Sequence, residues 1–298
     1  MRVLVTGGGG FLGAWVARRL TQGNLAVRVL ERHDDRALVR SIAGDAADAI
    51  DWKVGDIADT GAVMAAAEGC DGVVHLAGVL TPACRDDPLA GARVNVLGTL
   101  NVFEAARRHG IRQVLYTSSG GVYAPHDRGE PFPVTHYGAF KLANEGSARA
   151  YWEDAGIASI GFRPFVIYGP GRLGGLTAGP TLACRAAARG EAYAIPFTGA
   201  AGMVHVDDVA AAYEAALRAE LAGARTMNLT GQVATMDAVV AGIRRIVPGA
   251  KVSCEGPALP SGTAAANEWA SGLLPLGRER TLEEGLAETV EFYRRVRE

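Results

Sequence analysis

The chain has 298 residues, more than the roughly 100–200 of one ordinary domain, so one large or two fused domains are expected. Hydrophobic residues make up 49%, yet no apolar run approaches the ~18 residues of a bilayer span, which argues against a membrane partner. A net charge of −2 without any basic block argues against nucleic acid, and four scattered cysteines without a C-x-x-C pair argue against a metal site.

The first residues run straight into the strand pattern Arg2–Thr6, without the basic flank and apolar stretch of a signal peptide, so a cytoplasmic location is expected. Gly7 to Gly10 follow, leading into a helical pattern over Phe11–Thr21. Strand, glycine turn and helix are the context in which G-x-G-x-x-G spacing has physical meaning. Gly7, Gly10 and Gly13 let the backbone turn sharply and approach a pyrophosphate, whose charge then sits at a helix N-terminus. Glu31 closes the next strand pattern, Ala26–Glu31, at the ~20-residue distance where an acid grips an adenosine ribose.

Further strand patterns cover Asp51–Val54, Gly72–Ala77, Gln113–Ser118 and Ser159–Ile167. Amphipathic helical patterns cover Asp59–Ala67, Ala92–Arg108 and Tyr137–Ala155. Strands alternating with helices imply parallel pairing and right-handed crossovers. The expected fold is α/β, a Rossmann-type doubly wound parallel sheet with a smaller C-terminal substrate-binding lobe. The sheet domain should occupy residues 1–167 and be completed by about 203–230, through a helix Asp208–Leu221 and a strand Thr226–Leu229. Residues 168–202 and 231–298 are assigned to the lobe, where glycines and prolines break the alternation. Thr281 with Glu283 and Glu284 reads as a capped helix start.

Tyr137 and Lys141 stand four apart, on one helix face. A free phenol titrates near pH ~10 and is a poor base at neutral pH; a neighbouring cation favours the phenolate and lowers that value. Such a tyrosine can take a proton from an alcohol or return it to a carbonyl. Upstream, the strand Val114–Leu115–Tyr116 ends in Thr117–Ser118–Ser119–Gly120–Gly121, placing hydroxyls where they can polarise a substrate oxygen. His75 lies inside an apolar strand and reads as a packed histidine, and Asp207–Asp208 as a helix start rather than a metal site.

These segments resemble the extended short-chain dehydrogenases/reductases, the NAD-dependent epimerase/dehydratase family. The resemblance is carried by Thr6–Gly13, Gly55–Asp56–Ile57, Val74–Gly78, Thr117–Ser119, Tyr137–Lys141, Arg163–Pro164, Tyr168–Gly171 and His205–Ala210, with Leu282–Leu286 near the end. It implies that Ser119 orients the substrate oxygen, that Tyr137 is the acid–base, and that Lys141 holds the nicotinamide ribose and lowers the tyrosine pKa. It further implies a dinucleotide lying along Gly7, Gly10, Phe11, Leu12 and Gly13, with Glu31 and Arg32 at the ribose. Asp56 and Ile57 would flank the adenine, Leu76, Ala77 and Gly78 would line the cleft, and Pro164 would approach the carboxamide. Substrate contacts are assigned to Thr81, Ser119, Tyr168, Arg172 and His205. The resemblance also implies a homodimer through helices at about Ala92–Arg108 and Tyr137–Ala155.

An acid at position 31 favours NAD; Arg32 and Arg36 keep NADP open. Three departures bear on the reaction. Gly120 and Gly121 replace the acidic pair that family dehydratases carry after the strand-end hydroxyl. Val166 and Ala201 replace an Asn and an Arg common in sugar-nucleotide enzymes, and a diphosphate without cations would lose charge-assisted bonds worth ~1.5–3 kcal/mol each. The expected activity is NAD-dependent hydride transfer at a secondary alcohol or ketone of a small polyhydroxylated substrate: a free sugar, sugar acid or hydroxy acid. A nucleotide-sugar 4-epimerase with retained NAD is the alternative, with Arg172 or Arg185 compensating the diphosphate. A non-catalytic dinucleotide sensor is a third reading.

Overall fold

The computed structural model describes residues 1–123, 129–259 and 265–296. Six strands come first: β1 (Arg2–Thr6), β2 (Ala26–Glu31), β3 (Asp51–Val54), β4 (Gly72–His75), β5 (Gln113–Thr117) and β6 (Ala158–Pro164). Six shorter or later ones follow: β7 (Val166–Tyr168), β8 (Tyr193–Ile195), β9 (Ala200–His205), β10 (Ala224–Leu229), β11 (Gln232–Thr235) and β12 (Val252–Cys254). The α-helices are α1 (Phe11–Gln22), α2 (Ala37–Ala43), α3 (Thr60–Ala67), α4 (Thr81–Asp86), α5 (Pro88–Ala92) and α6 (Gly98–His109). After them come α7 (His136–Ala155), α8 (Gly179–Arg189), α9 (Val206–Arg218), α10 (Met236–Ile246) and α11 (Leu282–Arg295).

A seven-stranded parallel sheet runs in the order β10-β6-β5-β4-β1-β2-β3. Alternate residues of each strand feed opposite faces, as period-2 geometry requires. Val3 and Val5 join the core with Val29, Val74, Leu115 and Ile160, whereas Leu4 joins Leu30, Val73, Val114 and Tyr116 on the other side. Both faces are therefore buried, which is why these strands are nearly all apolar. The chain order reverses between β1 and β4, so a crevice opens past their carboxyl ends.

The α/β doubly wound sheet expected from the alternation is present. The differences lie where Gly and Pro interrupt it. The stretch expected as one strand over 159–167 breaks after Pro164 into β6 and β7, and β7 pairs with β9, which pairs in turn with β11, in a separate three-stranded sheet. Residues 203–205 accordingly belong to that small sheet, and only α9 and β10 return to the main one. The small sheet, α8, α10 and α11 share their own core of Tyr168, Ala183, Met203, Val239, Ile243 and Leu286. Residues 265–276, assigned to the lobe, instead reach the main sheet: Trp269 and Leu274 pack into its core, and Asn228 N–H donates to Glu268 at 2.6 Å. The helix expected over 92–108 contains a π-helical turn at Arg93–Leu97. Thr281 and Glu284 form the reciprocal capping box that starts α11.

Candidate active site

The carboxyl ends of β1, β4, β5 and β6 open into one cleft of about 580 Å³. The glycine turn forms one wall. Gly7 has φ +71°, and a Cβ there would meet Ala77 N at 2.7 Å, while a Cβ on Gly13 would meet Gly8 Cα at 2.6 Å. Helix and strand thus approach too closely for any side chain. The first N–H groups of α1 have no side-chain cap and no acid in the first turn, and the cleft reaches Gly10, Phe11, Leu12 and Gly13. Such an N-terminus suits a phosphate group. We expect Gly13→Ala to push this turn apart and weaken NADH binding about tenfold or more, read by nicotinamide fluorescence. Near-native affinity in that variant would remove the turn from the cofactor site.

Glu31 reaches this turn from the end of β2, accepting from Gly9 N–H at 3.3 Å and from Arg32 N–H at 2.9 Å. Its carboxylate is thereby held beside the glycines. Arg36 is engaged elsewhere, paired with Asp34 at 2.6 Å and lying over the Trp52 ring at 5.2 Å. Arg32 is exposed.

The opposite wall comes from α7. Thr135 caps it by accepting from Gly138 N–H at 3.0 Å, and Gly156 ends it at φ +65°. With the cap fixed, Tyr137, Lys141, Glu145 and Ala148 recur at four- and three-residue spacing on the face towards the sheet. Lys141 donates to the Thr117 carbonyl at the end of β5, 2.7 Å away, and its Nζ lies 5.6 Å from the Tyr137 ring centroid. Ser119 begins the turn after β5 and accepts from Gly121 N–H at 2.9 Å, and the Tyr137 ring packs against the same turn, beside the Ser119 hydroxyl. Ser119, Tyr137 and Lys141 all line the cleft, as do Leu76, Gly78, Thr81 and Pro164.

Electrostatically the site differs from the sequence expectation. Burial raises the Tyr137 phenol above its ordinary value, against the opposing Ser119 hydrogen bond and Arg172 charge. The Lys141 ammonium, expected to lower it, is turned to the Thr117 carbonyl and lies over the ring face. Burial also pushes Lys141 down to about 8. At neutral pH the resting pair is a protonated phenol beside a largely charged ammonium.

Several expected residues stand away from the cleft lining. Tyr168 and His205 lie behind its wall, 1% and 2% exposed, edge-to-face with each other, so the structure does not put them in reach of a substrate there. Their rings fill the seam between the two cores instead. Ile57 is buried against Gly98, Asp56 is exposed and accepts from Ala58 N–H, and Ala77 backs the glycine turn. His75 hydrogen-bonds Thr6 and Thr99 at 2.7 and 3.0 Å and is held neutral by burial, with its pKa about 3. Asp207 pairs with Arg19 and Arg280, both at 2.6 Å, and Asp208 pairs with Arg280, tying the chain before α11 to the start of α9.

Sequence reasoning missed a buried relay beneath Ser119. Ser118 donates to Glu145 at 2.5 Å; Glu145 pairs with Arg163 at 2.6 Å; Arg163 donates to the Tyr123 hydroxyl at 2.7 Å. The signal was available in part, because Glu145 continues the four-residue spacing of Tyr137 and Lys141. Asn95 was also missed: it clamps Val79 through both backbone groups at 3.0–3.1 Å from within the π-helical turn.

Residues 3–230 match the model of a family described as NAD dependent epimerase/dehydratase. The chain is similar to a 2-alkyl-3-oxoalkanoate reductase of Stenotrophomonas maltophilia, 32% identical over 57% of this chain and 52% of that protein. It is similar to a uronate dehydrogenase of Pseudomonas putida, 30% identical over 54% of this chain and 59% of that protein. It therefore spans somewhat over half the length of these curated relatives. Among solved structures, a Thermus thermophilus UDP-glucose 4-epimerase in complex with NAD superposes with a TM-score of 0.80, at 25% identity and 99% coverage of both chains.

Proposed function

We propose a function from one premise: this chain belongs to the NAD dependent epimerase/dehydratase family. It is an enzyme of the extended short-chain type and depends on NAD. On our reading it oxidises a secondary alcohol, or reduces the matching ketone, on a small substrate, with Ser119, Tyr137 and Lys141 as the catalytic set. The observation that carries this reading is that Ser119 Oγ and the Tyr137 ring flank Gly121 together inside the cleft, with Lys141 one helical turn on along the same wall.

A bound nicotinamide would supply or accept the hydride at the substrate carbon. The residues of the chain do the rest. Gly7, Gly10, Phe11, Leu12 and Gly13 would hold the diphosphate, and Glu31 the adenosine ribose. Lys141 would hold the nicotinamide ribose, with Leu76, Gly78 and Pro164 along the ring. Ser119 orients the substrate oxygen, and the Tyr137 hydroxyl exchanges its proton, help typically worth ~10²–10⁴ in rate. Because burial keeps that phenol protonated, donation to a carbonyl needs no prior titration, whereas alcohol oxidation needs the phenolate.

Glu31, held beside the glycine turn, would oppose a 2′-phosphate with its carboxylate, and Arg36 is occupied by Asp34, which supports NAD over NADP. We expect Glu31→Ala to reduce the NAD-over-NADP preference about tenfold or more, measured as the ratio of the two affinities. An unchanged ratio would take Glu31 out of that role. Association as a homodimer through α6 and α7 is part of the proposal on resemblance alone.

The test of the activity is a panel of secondary alcohols, sugar acids included, supplied with NAD. Net NADH in proportion to product is the expected result. Turnover of a UDP-sugar without net NADH would replace it by the epimerase reading, and cofactor binding with no turnover on any substrate would leave a sensor.

A further inference from the structure

The substrate side of the cleft has two properties of its own, although its one guanidinium, that of Arg172, also lies over the Phe11 ring, 5.9 Å from the centroid. Its mouth is formed by Leu80, Val134, Leu173 and Leu176, all lining the cleft and all about half exposed or more, with Phe165, Ile167 and Leu259 deeper in. Large aliphatic side chains converging on one opening mark a ligand that covers them. Among the described residues the lining holds no Asn, Gln, Asp, Glu or His. A sugar ring carries several hydroxyls that donate as well as accept, and here the side-chain acceptors among the described lining residues are hydroxyls, with no carboxylate or amide.

Into this apolar wall projects one cation. Arg172 lies in the glycine-dense loop after β7, where Gly169, Gly171 and Gly175 all have positive φ. Its guanidinium donates to the Ile167 carbonyl and to Thr177 Oγ1, the latter at 2.7 Å, leaving three of its five N–H groups. Among the described residues no carboxylate pairs with it. Burial pushes it down to about 10. A half-buried cation without a counter-charge is poorly compensated unless a ligand supplies one. It lines the same cleft as Ser119 and Tyr137, so an anion paired with it shares one cavity with the reacting centre.

We propose that the substrate is an apolar hydroxy or oxo acid: its carboxylate pairs with Arg172 and its hydrocarbon part covers Leu80, Val134, Leu173 and Leu176. This rests on the cleft assignment above and narrows the expected range from sugars to the acid. A carboxylate matches the planar fork of a guanidinium, and the charge-assisted pair fixes which end of the substrate faces inward.

The test is binding to the NADH-loaded protein, followed by nicotinamide fluorescence, with butanoate, hexanoate, octanoate, hexanamide and glucuronate as probes. Affinity should rise up to about fourfold per added methylene until the mouth is covered. Hexanoate should bind about tenfold or more tighter than hexanamide. Arg172→Met should erase the acid-over-amide preference while keeping the chain-length trend and the NADH affinity; Arg172→Lys should keep part of the preference. Glucuronate binding tighter than hexanoate, or no gain with chain length, would overturn the proposal. So would an Arg172→Met protein that loses NADH affinity, which would make the cofactor diphosphate the partner of the guanidinium. The same series on Tyr137→Phe needs no turnover, so failure of the catalytic assignment leaves this result readable.

Discussion

Tyr137→Phe should cut turnover by about 10²–10⁴-fold in either direction and leave NADH affinity largely intact. Phenylalanine keeps the ring that Lys141 lies over and removes only the hydroxyl that meets Ser119. Lys141 keeps its anchor, because that anchor is the Thr117 carbonyl and not the phenol. The loss is therefore one of proton exchange and not of binding. Burial fixes the accompanying pH behaviour, since it raises the phenol above its ordinary value. Ketone reduction uses the protonated phenol and should be insensitive to that group across neutral pH. Alcohol oxidation uses the phenolate and should accelerate as pH rises, by up to about tenfold per unit. Steady-state rates in both directions between pH 6 and 9 measure this. Undiminished turnover in the Tyr137→Phe variant would remove Tyr137 from the chemistry.

Breaking the Glu145–Arg163 pair should cost about 3–5 kcal/mol of folding stability, by either Glu145→Gln or Arg163→Met. The side chains are 1% and 11% exposed, so removal of one partner leaves the other charge without water or counter-ion. Replacing both by apolar residues of similar size should cost much less than the sum of the single changes, because an intact buried pair contributes little net stability. Urea unfolding of the two single variants and the double variant reads the difference. Single losses below about 1 kcal/mol would mean the pair is solvated in solution. The pair also supports the site: Ser118 hangs from Glu145 and Tyr123 from Arg163, on either side of Ser119. Activity should therefore fall in the single variants even at temperatures where they stay folded.

How much of this was legible beforehand depended on the range of the interaction. The parallel sheet followed from the alternation, and β1, β2 and β3 have the ends that their apolar runs suggested. The glycine turn, the strand-end Ser119 and the Tyr137–Lys141 spacing were readable because each is local, fixed by a turn or by one helical repeat. Tyr168 and His205 misled because a motif places a residue along the chain without saying which side of a wall its ring takes. The phenol value misled for a related reason: sequence shows a lysine four residues away but not how deeply both groups are buried.

The order of residues alone determined an α/β nucleotide fold, an NAD-type glycine turn and a serine, tyrosine and lysine in register, because these depend on backbone periodicity and short spacing. Only tertiary structure decided that β7 and β9 leave the main sheet, that Glu145 meets Arg163, and that Arg172 stands among leucines from three separate segments with no carboxylate partner among the described residues. Desolvation and charge pairing depend on which distant segments close over a group, and that is settled when the chain packs.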